Sequence, residues 1–334
     1  MLRRSRSRAL AVLAMFVSPA PAHAAPPARE SLQALRPHDI RVASVGDRLA
    51  TANLPLCRQR QYQHGIAVHD LSQYSLSGRP IAIKAFGLDR GPAVLALATG
   101  GAAVRAGLQL DDVLIAADGT PLPRPAPNVH DSFAPTEAII AALEAAFADG
   151  FAELEVRRGA GTRRIRVEGV PGCGSRFQVV PSDKRGAKAD GRYVQLTSAL
   201  VAYTRDDNEL AALVAHELAH NVLEHRRRLN EAGVDRDARI RSPRDARLFQ
   251  LTELEADRLA VHLMARAGYD PAAAVRLWTR QSREPRGRPS GSHPPWAVRI
   301  QAMEAEIASI AKARSEGKEA QAPLPAGQLR PPAN

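Results

Sequence analysis

The spacing in His216-Glu217-Leu218-Ala219-His220 constrains this chain more than any other feature of it. Residues four apart in an α-helix lie about 40° apart around its axis, so both imidazoles can aim a nitrogen at one point while Glu217 stands beside them. This suits a divalent metal held by two imidazoles, with a carboxylate able to take a proton from water. The flanks agree with a buried helix. Leu210, Leu213, Val214, Leu218 and Val222 form an apolar side, and Asp206-Asp207-Asn208-Glu209 offers a cap with Glu209 placed to complete a capping box.

A hydrolytic zinc has three protein ligands and keeps a fourth position for water, so the two histidines need a partner. His225, nine residues after His216, falls about 180° around a continuous helix and is expected to face away. A metzincin would have glycine at position 223 and histidine at 226, and Leu223 and Arg226 reject that class. Glu253 is the better candidate. It lies in Glu253-Leu254-Glu255-Ala256-Asp257, inside a helix that Ser242-Pro243 starts and Gly268 stops, with Asp257 one turn on and on the same face. Glu255, two residues on, points elsewhere. A third helix begins at Asp270-Pro271, and after His293-Pro294-Pro295 a last one runs from Trp296 to about Ala313.

The first 24 residues read as a signal peptide: Arg3, Arg4, Arg6 and Arg8, an apolar run from Ala9 to Val17, then Ala22-His23-Ala24 before the cleavage point. The apolar run breaks at Ser18-Pro19, short of a bilayer span, and no later segment is long enough to be one. Cleavage makes the protein periplasmic or secreted. It leaves 42 basic against 35 acidic residues, or +7, in place of the formal +11. The arginines are scattered and aromatic content is 4%, so a solvated surface is expected and nucleic acid is not a partner. Cys57 and Cys173 are too few for a thiolate zinc site and the right number for one disulfide in an oxidising compartment.

Residues 25–75 read as an extension with a short helix near Glu30 to Leu35. In residues 76–170, Ile81-Ala82-Ile83 and Ala93-Val94-Leu95-Ala96-Leu97 read as strands, and Asp112-Val113-Leu114-Ile115 as a buried one. A helix is expected from Pro135 to Ala148, and then two alternating strands joined by Gly159-Ala160-Gly161. Gly101-Ala102-Ala103, Ala106-Gly107-Leu108, Asp112-Val113-Leu114 and Asp118-Gly119 resemble, in order, the loop, short helix, strand and turn of a PDZ domain of the bacterial protease-associated kind. The resemblance implies a peptide C-terminus or extended strand as ligand, bound beside either Phe86-Gly87-Leu88 or Leu76-Ser77-Gly78.

From about Cys173 to Ile310 the chain resembles the gluzincin peptidases of the family that includes HtpX, the prenyl (CAAX) endopeptidase and the BepA-like enzymes. The resemblance rests on His216-Glu217-x-x-His220, on Glu253-x-x-Ala256-Asp257 and on His293-Pro294 followed by Arg299-Ile300. It implies one zinc ion on His216, His220 and Glu253, with Asp257 orienting a zinc histidine, Glu217 as general base, and His293 and Arg299 on the oxyanion. The family's Asn-Ala-x-x-x-Gly stretch, which binds substrate backbone, is matched by Gly186-Ala187-Lys188-Ala189-Asp190-Gly191, so Gly186 replaces the asparagine.

The expected fold is therefore α+β: a small PDZ-like β-rich domain at 76–170, then a mainly helical HExxH metallopeptidase domain with a short edge sheet at 171–313, and a disordered tail at 314–334. The expected function is zinc-dependent cleavage of envelope or misfolded proteins. The alternative is a zinc-retaining, chaperone-like or adaptor protein with little proteolytic activity.

Overall fold

The computed structural model describes residues 29–126, 128–234, 242–284 and 293–324. The signal peptide expected over residues 1–24 and the end of the expected tail lie outside them.

The first element is much longer than the short helix that the sequence suggests. Helix α1 (Arg29–Ala52) spans 24 residues with Pro37 inside it. Val42, Val45, Leu49 and Ala50 recur at helical spacing on one side and are buried in the largest apolar core.

The β-rich half follows as β1 (Arg60–Gln63), β2 (Ile66–His69), α2 (Arg79–Phe86), β3 (Ala93–Leu97), the single turn α3 (Ala102–Arg105), β4 (Val113–Ala117), β5 (Thr120–Pro121), α4 (Ala134–Ala146), β6 (Phe151–Arg158), β7 (Gly161–Glu168) and β8 (Val170–Cys173). Five of these strands make an antiparallel sheet in the order β2-β3-β4-β6-β7, with β5 beside β4. Ile139 and Leu143 of α4 and the following Phe147 cover its inner face, where Leu154, Val156 and Val167 alternate inward. β1 pairs with β8, and the disulfide between Cys57 and Cys173 closes that pair at its end, with Cα atoms 5.3 Å apart.

Two expectations are corrected here. Ile81-Ala82-Ile83 lie in helix α2, which has proline in its first turn and is closed by Gly87 at φ 67. A run of three apolar residues fits strand and helix alike, and the proline and glycine at its ends decide for helix. The sheet also starts at Ile66, ahead of the boundary expected at 76. The residues leading into its edge strand are therefore His64-Gly65, and neither Phe86-Gly87-Leu88 nor Leu76-Ser77-Gly78.

The second half is mainly helical. β9 (Arg176–Val180), β10 (Ala187–Ala189) and β11 (Tyr193–Thr197) form a small sheet in the order β10-β11-β9. The helices α5 (Ser198–Tyr203), α6 (Asp207–Val222), α7 (His225–Glu231), α8 (Pro243–Arg266), α9 (Ala272–Ser282) and α10 (Trp296–Ser315) follow. Residues 209–221 of α6 are all buried, and its Leu210, Val214 and Leu218 meet Leu259, Leu263 and Leu277 in the main core. Helix α1 joins the halves: it packs beside α6, and a Cβ on Gly46 would lie 2.2 Å from the Phe177 ring, so only glycine lets it lie this close to β9. Beyond α10, Ala320 and Ala322 rest against the same core, inside the stretch expected to be a disordered tail. Among the described residues no helix is long and apolar enough to cross a membrane.

Candidate metal centre

Asp206 caps α6 by accepting from the Glu209 backbone N–H at 2.9 Å, and Glu209 accepts the Arg205 N–H at 2.8 Å. With its start fixed in this way, the helix points His216 and His220 at α8, where Glu253 faces them. Nε2 of His216 stands 3.3 Å from Nε2 of His220 and 3.3 Å from Glu253 Oε2, and His220 Nε2 stands 3.4 Å from Glu253 Oε1. Among the described residues these three form a group whose ligand atoms could hold one metal ion, and all three are buried. Ligand atoms at the corners of a tetrahedron with bonds of about 2.0–2.1 Å lie roughly 3.3 Å apart, so the trio fits zinc.

The support behind the trio is ionic and dry. Asp257, fully buried, lies with Oδ1 3.0 Å from His216 Nδ1, as the one-turn spacing from Glu253 implies. Its carboxylate also accepts two hydrogen bonds from one edge of the Arg299 guanidinium, at 2.6 Å from Nε and 2.7 Å from Nη2. Arg299 lies between the rings of Trp278 and Trp296, at 5.4 and 5.3 Å from their centroids, and its Nη2 is 3.7 Å from Glu253 Oε2. Its donors on one side are thus committed to Asp257, whereas the resemblance implies an arginine directed at the oxyanion. His293 comes to the opening of the site, with Nε2 3.4 Å from Glu253 Oε2 and its side chain 41% exposed. Glu217 is buried beside the trio, on the turn between the two histidines.

Electrostatics favour positive charge at this point. Burial opposes a charged His216 ring, but hydrogen bonds to Asp257 and Glu253 outweigh it and push the ring up to about 10. Burial likewise opposes ionisation of Glu253, yet the neighbouring charges of His220, His216 and His293 hold its carboxyl well below the usual range. A divalent cation would satisfy the same field.

One supporting residue is misplaced by the sequence. His225 is expected on the far face of a continuous helix, but α6 ends at Val222 and Glu224 takes a left-handed conformation at φ 53. The chain turns there, and His225 Nδ1 comes within 2.9 Å of His220 Nδ1. Its other nitrogen lies 2.9 Å from Glu255 Oε2, which also accepts from Arg228 Nη1 at 2.7 Å. Glu255, which points away from the metal as expected, therefore acts through His225 on His220. The signal that could have revealed this is the Glu224-His225 pair itself, because only a break in the helix brings the fifth residue after His220 back to it.

Gly186, standing where the family has asparagine, precedes the edge strand β10 and donates its N–H to Thr197 Oγ1 at 3.0 Å. Asn221 joins this sheet to α6: its Oδ1 accepts from Gly191 N–H at 2.8 Å and its Nδ2 donates to Ser175 Oγ at 3.0 Å.

A helix carrying two histidines and a buried glutamate, a third ligand, a carboxylate, from the next long helix, and an edge strand beside them define a zinc-dependent hydrolase of the gluzincin type. The sequence model of peptidase family M48 matches residues 177–239 and 247–307. The match lies in the second half of the molecule and supports kinship at the family level; M48 is a family of zinc metallopeptidases, and the protein is accordingly a zinc metallopeptidase. No curated protein matches the chain significantly.

Proposed function

We propose that this protein is an exported zinc endopeptidase that cleaves misfolded or envelope proteins, with residues 66–168 serving as a PDZ-like module that recruits substrate or partner. The observation that carries the reading is the convergence of His216, His220 and Glu253 with Glu217 on the same turn. Zinc held by the three would supply Lewis acidity and make a water acidic enough to be deprotonated near neutral pH. Glu217 takes that proton and delivers it to the leaving amine. His293, half-exposed at the opening, donates to the oxygen on which charge develops. Arg299 adds positive charge but acts chiefly through Asp257, which holds the His216 ring in one tautomer. The disulfide between Cys57 and Cys173 supports an oxidising compartment, periplasmic or extracellular.

The test compares zinc content and cleavage of an unfolded protein between wild type and Glu217→Gln. Loss of cleavage by a factor on the order of 10² or more, with zinc retained, is expected from removal of a general base. Equal cleavage by both would remove Glu217 from the mechanism. Zinc retention without cleavage in the wild type would favour the chaperone-like or adaptor reading.

A further inference from the structure

The large sheet and the three-stranded sheet each turn one of their unpaired edges, among the described strands, into the same cleft. β2 ends the five-stranded order and pairs only with β3, while β9 ends the order β10-β11-β9 and pairs only with β11. Between them lies a cavity of about 520 Å³, with α1 and α4 as its other sides. An open edge offers backbone N–H and C=O groups to a further strand, and proteins ordinarily cover or charge such edges. This cleft is separate from the metal centre: its lining includes none of His216, Glu217, His220 and Glu253.

The lining is apolar in the middle and acidic around it. Ile66, Ile140, Phe177 and Val179 are half-buried there, which suits the alternate side chains of an extended segment. Asp39 and Asp47 of α1, Asp131 and Glu144 supply four carboxylates against one arginine, Arg176. That arginine is already committed to Glu144 at 2.6 Å and to the Tyr193 hydroxyl at 2.6 Å. Among the described residues neither Asp39 nor Asp47 forms a salt bridge, although the charges of Arg36 and Arg105 act on them, and carboxyl groups outnumber arginines in the lining.

The end of the cleft is closed to an anion. Where an edge strand captures a peptide C-terminus, backbone N–H groups in the loop leading into the strand receive the carboxylate. Here the Ile66 N–H at that position donates to His64 Nδ1 at 3.1 Å. Asp47 stands next to the loop, its Oδ1 3.5 Å from where a Cβ on Gly65 would be. The Ile66 donor is occupied and an acid of the protein itself is adjacent, so a ligand carboxylate would meet repulsion there and lose that donor.

We propose that the cleft between β2 and β9 binds an extended, lysine- or arginine-bearing polypeptide segment by strand addition and rejects a free C-terminal carboxylate. The occupant is an internal stretch of a substrate or partner protein in which basic and apolar residues alternate. This rests on the reading of residues 66–168 as a peptide-binding module, and it specifies what that module accepts. Burial pushes the Asp39 carboxyl up to about 7 and that of Asp47 up to about 6, a penalty that an incoming ammonium or guanidinium group would relieve.

The experiment uses the full chain carrying Glu217→Gln, so that probes are not cut. Two fluorescent peptides of about ten residues are compared by anisotropy. One alternates valine with lysine and ends in an amide, and the other alternates valine with glutamate and ends in a free carboxylate. The amidated lysine peptide is expected to bind at least about tenfold more tightly, with affinity falling as salt is raised. Asp39→Asn combined with Asp47→Asn is expected to reduce that preference to about threefold or less. Ala43→Trp, which fills the cleft without changing its charge, is expected to abolish binding of the lysine peptide, with thermal melts establishing that both variants fold. Tighter binding of the free-acid peptide, or a lysine preference unchanged by the double substitution, overturns the proposal and leaves a peptide-binding module in place. Binding of neither peptide overturns the module as well.

Discussion

The metal centre and the cleft between the sheets are both rich in charge, and they treat it in opposite ways. At the metal centre each supporting charge has a partner: Asp257 takes Arg299 and His216, and Glu255 takes His225 and Arg228. In the cleft Asp39 and Asp47 line the cavity half-buried, with no salt bridge among the described residues. Buried and mutually satisfied groups hold one geometry, as a metal requires, whereas unpaired groups beside a cavity remain available to a ligand. The contrast implies that substitutions at the first region should damage stability or metal affinity, and that those in the second should damage neither.

The largest effect is expected from His220→Ala, which removes one of three ligands: zinc should be lost on dialysis and cleavage should fall by a factor of roughly 10³ or more, measured by metal analysis and peptide hydrolysis. Retention of stoichiometric zinc would show that the trio is not the metal site. Next comes Asp257→Ala, which leaves the Arg299 guanidinium buried without its partner. A loss of about 3–5 kcal/mol is expected in denaturant unfolding, a scale set by broken buried ion pairs. Replacing His225 by phenylalanine should keep the fold while weakening zinc on the order of 10-fold in competition with a chelator, because His220 loses the group that orients it.

The smallest effect is expected in the cleft and depends on pH. The Asp39 carboxyl is raised to about 7 by burial, which outweighs the opposing charge of Arg36. Its protonated form therefore favours the folded state fully below about pH 4, and that contribution is lost as pH rises through about 7. Asp39→Asn should accordingly raise the melting temperature by about 2–4 °C at pH 8 and by less at pH 5. An equal shift at both pH values would show that the carboxyl is not titrating in this window.

Legibility in the sequence followed the locality of each constraint. The capped helix α6, the proline-started α8 and the spacing from Glu253 to Asp257 are set by helical periodicity and end signals, and the structure brings those residues together. Helix α2 was open to misreading because a short apolar run carries no period of its own. The extent of α1 was hidden by its mixed composition, since its apolar stripe becomes evident only against α6 and β9. The edge strand β2 is four residues long, with two of them only half-buried, and its place in the sheet comes from pairing with β3 at a distance.

The sequence by itself therefore determined the chemistry: two imidazoles and a carboxylate on one helix, and a carboxylate pair one turn apart on another, because these depend on the fixed rise and twist of an α-helix. Only the tertiary structure decided what surrounds that chemistry. It turned His225 back on His220 at a break in the helix, committed Arg299 to Asp257, and set the edges of two sheets across one acid-lined cleft. Those outcomes depend on contacts between distant segments, which no local periodicity specifies.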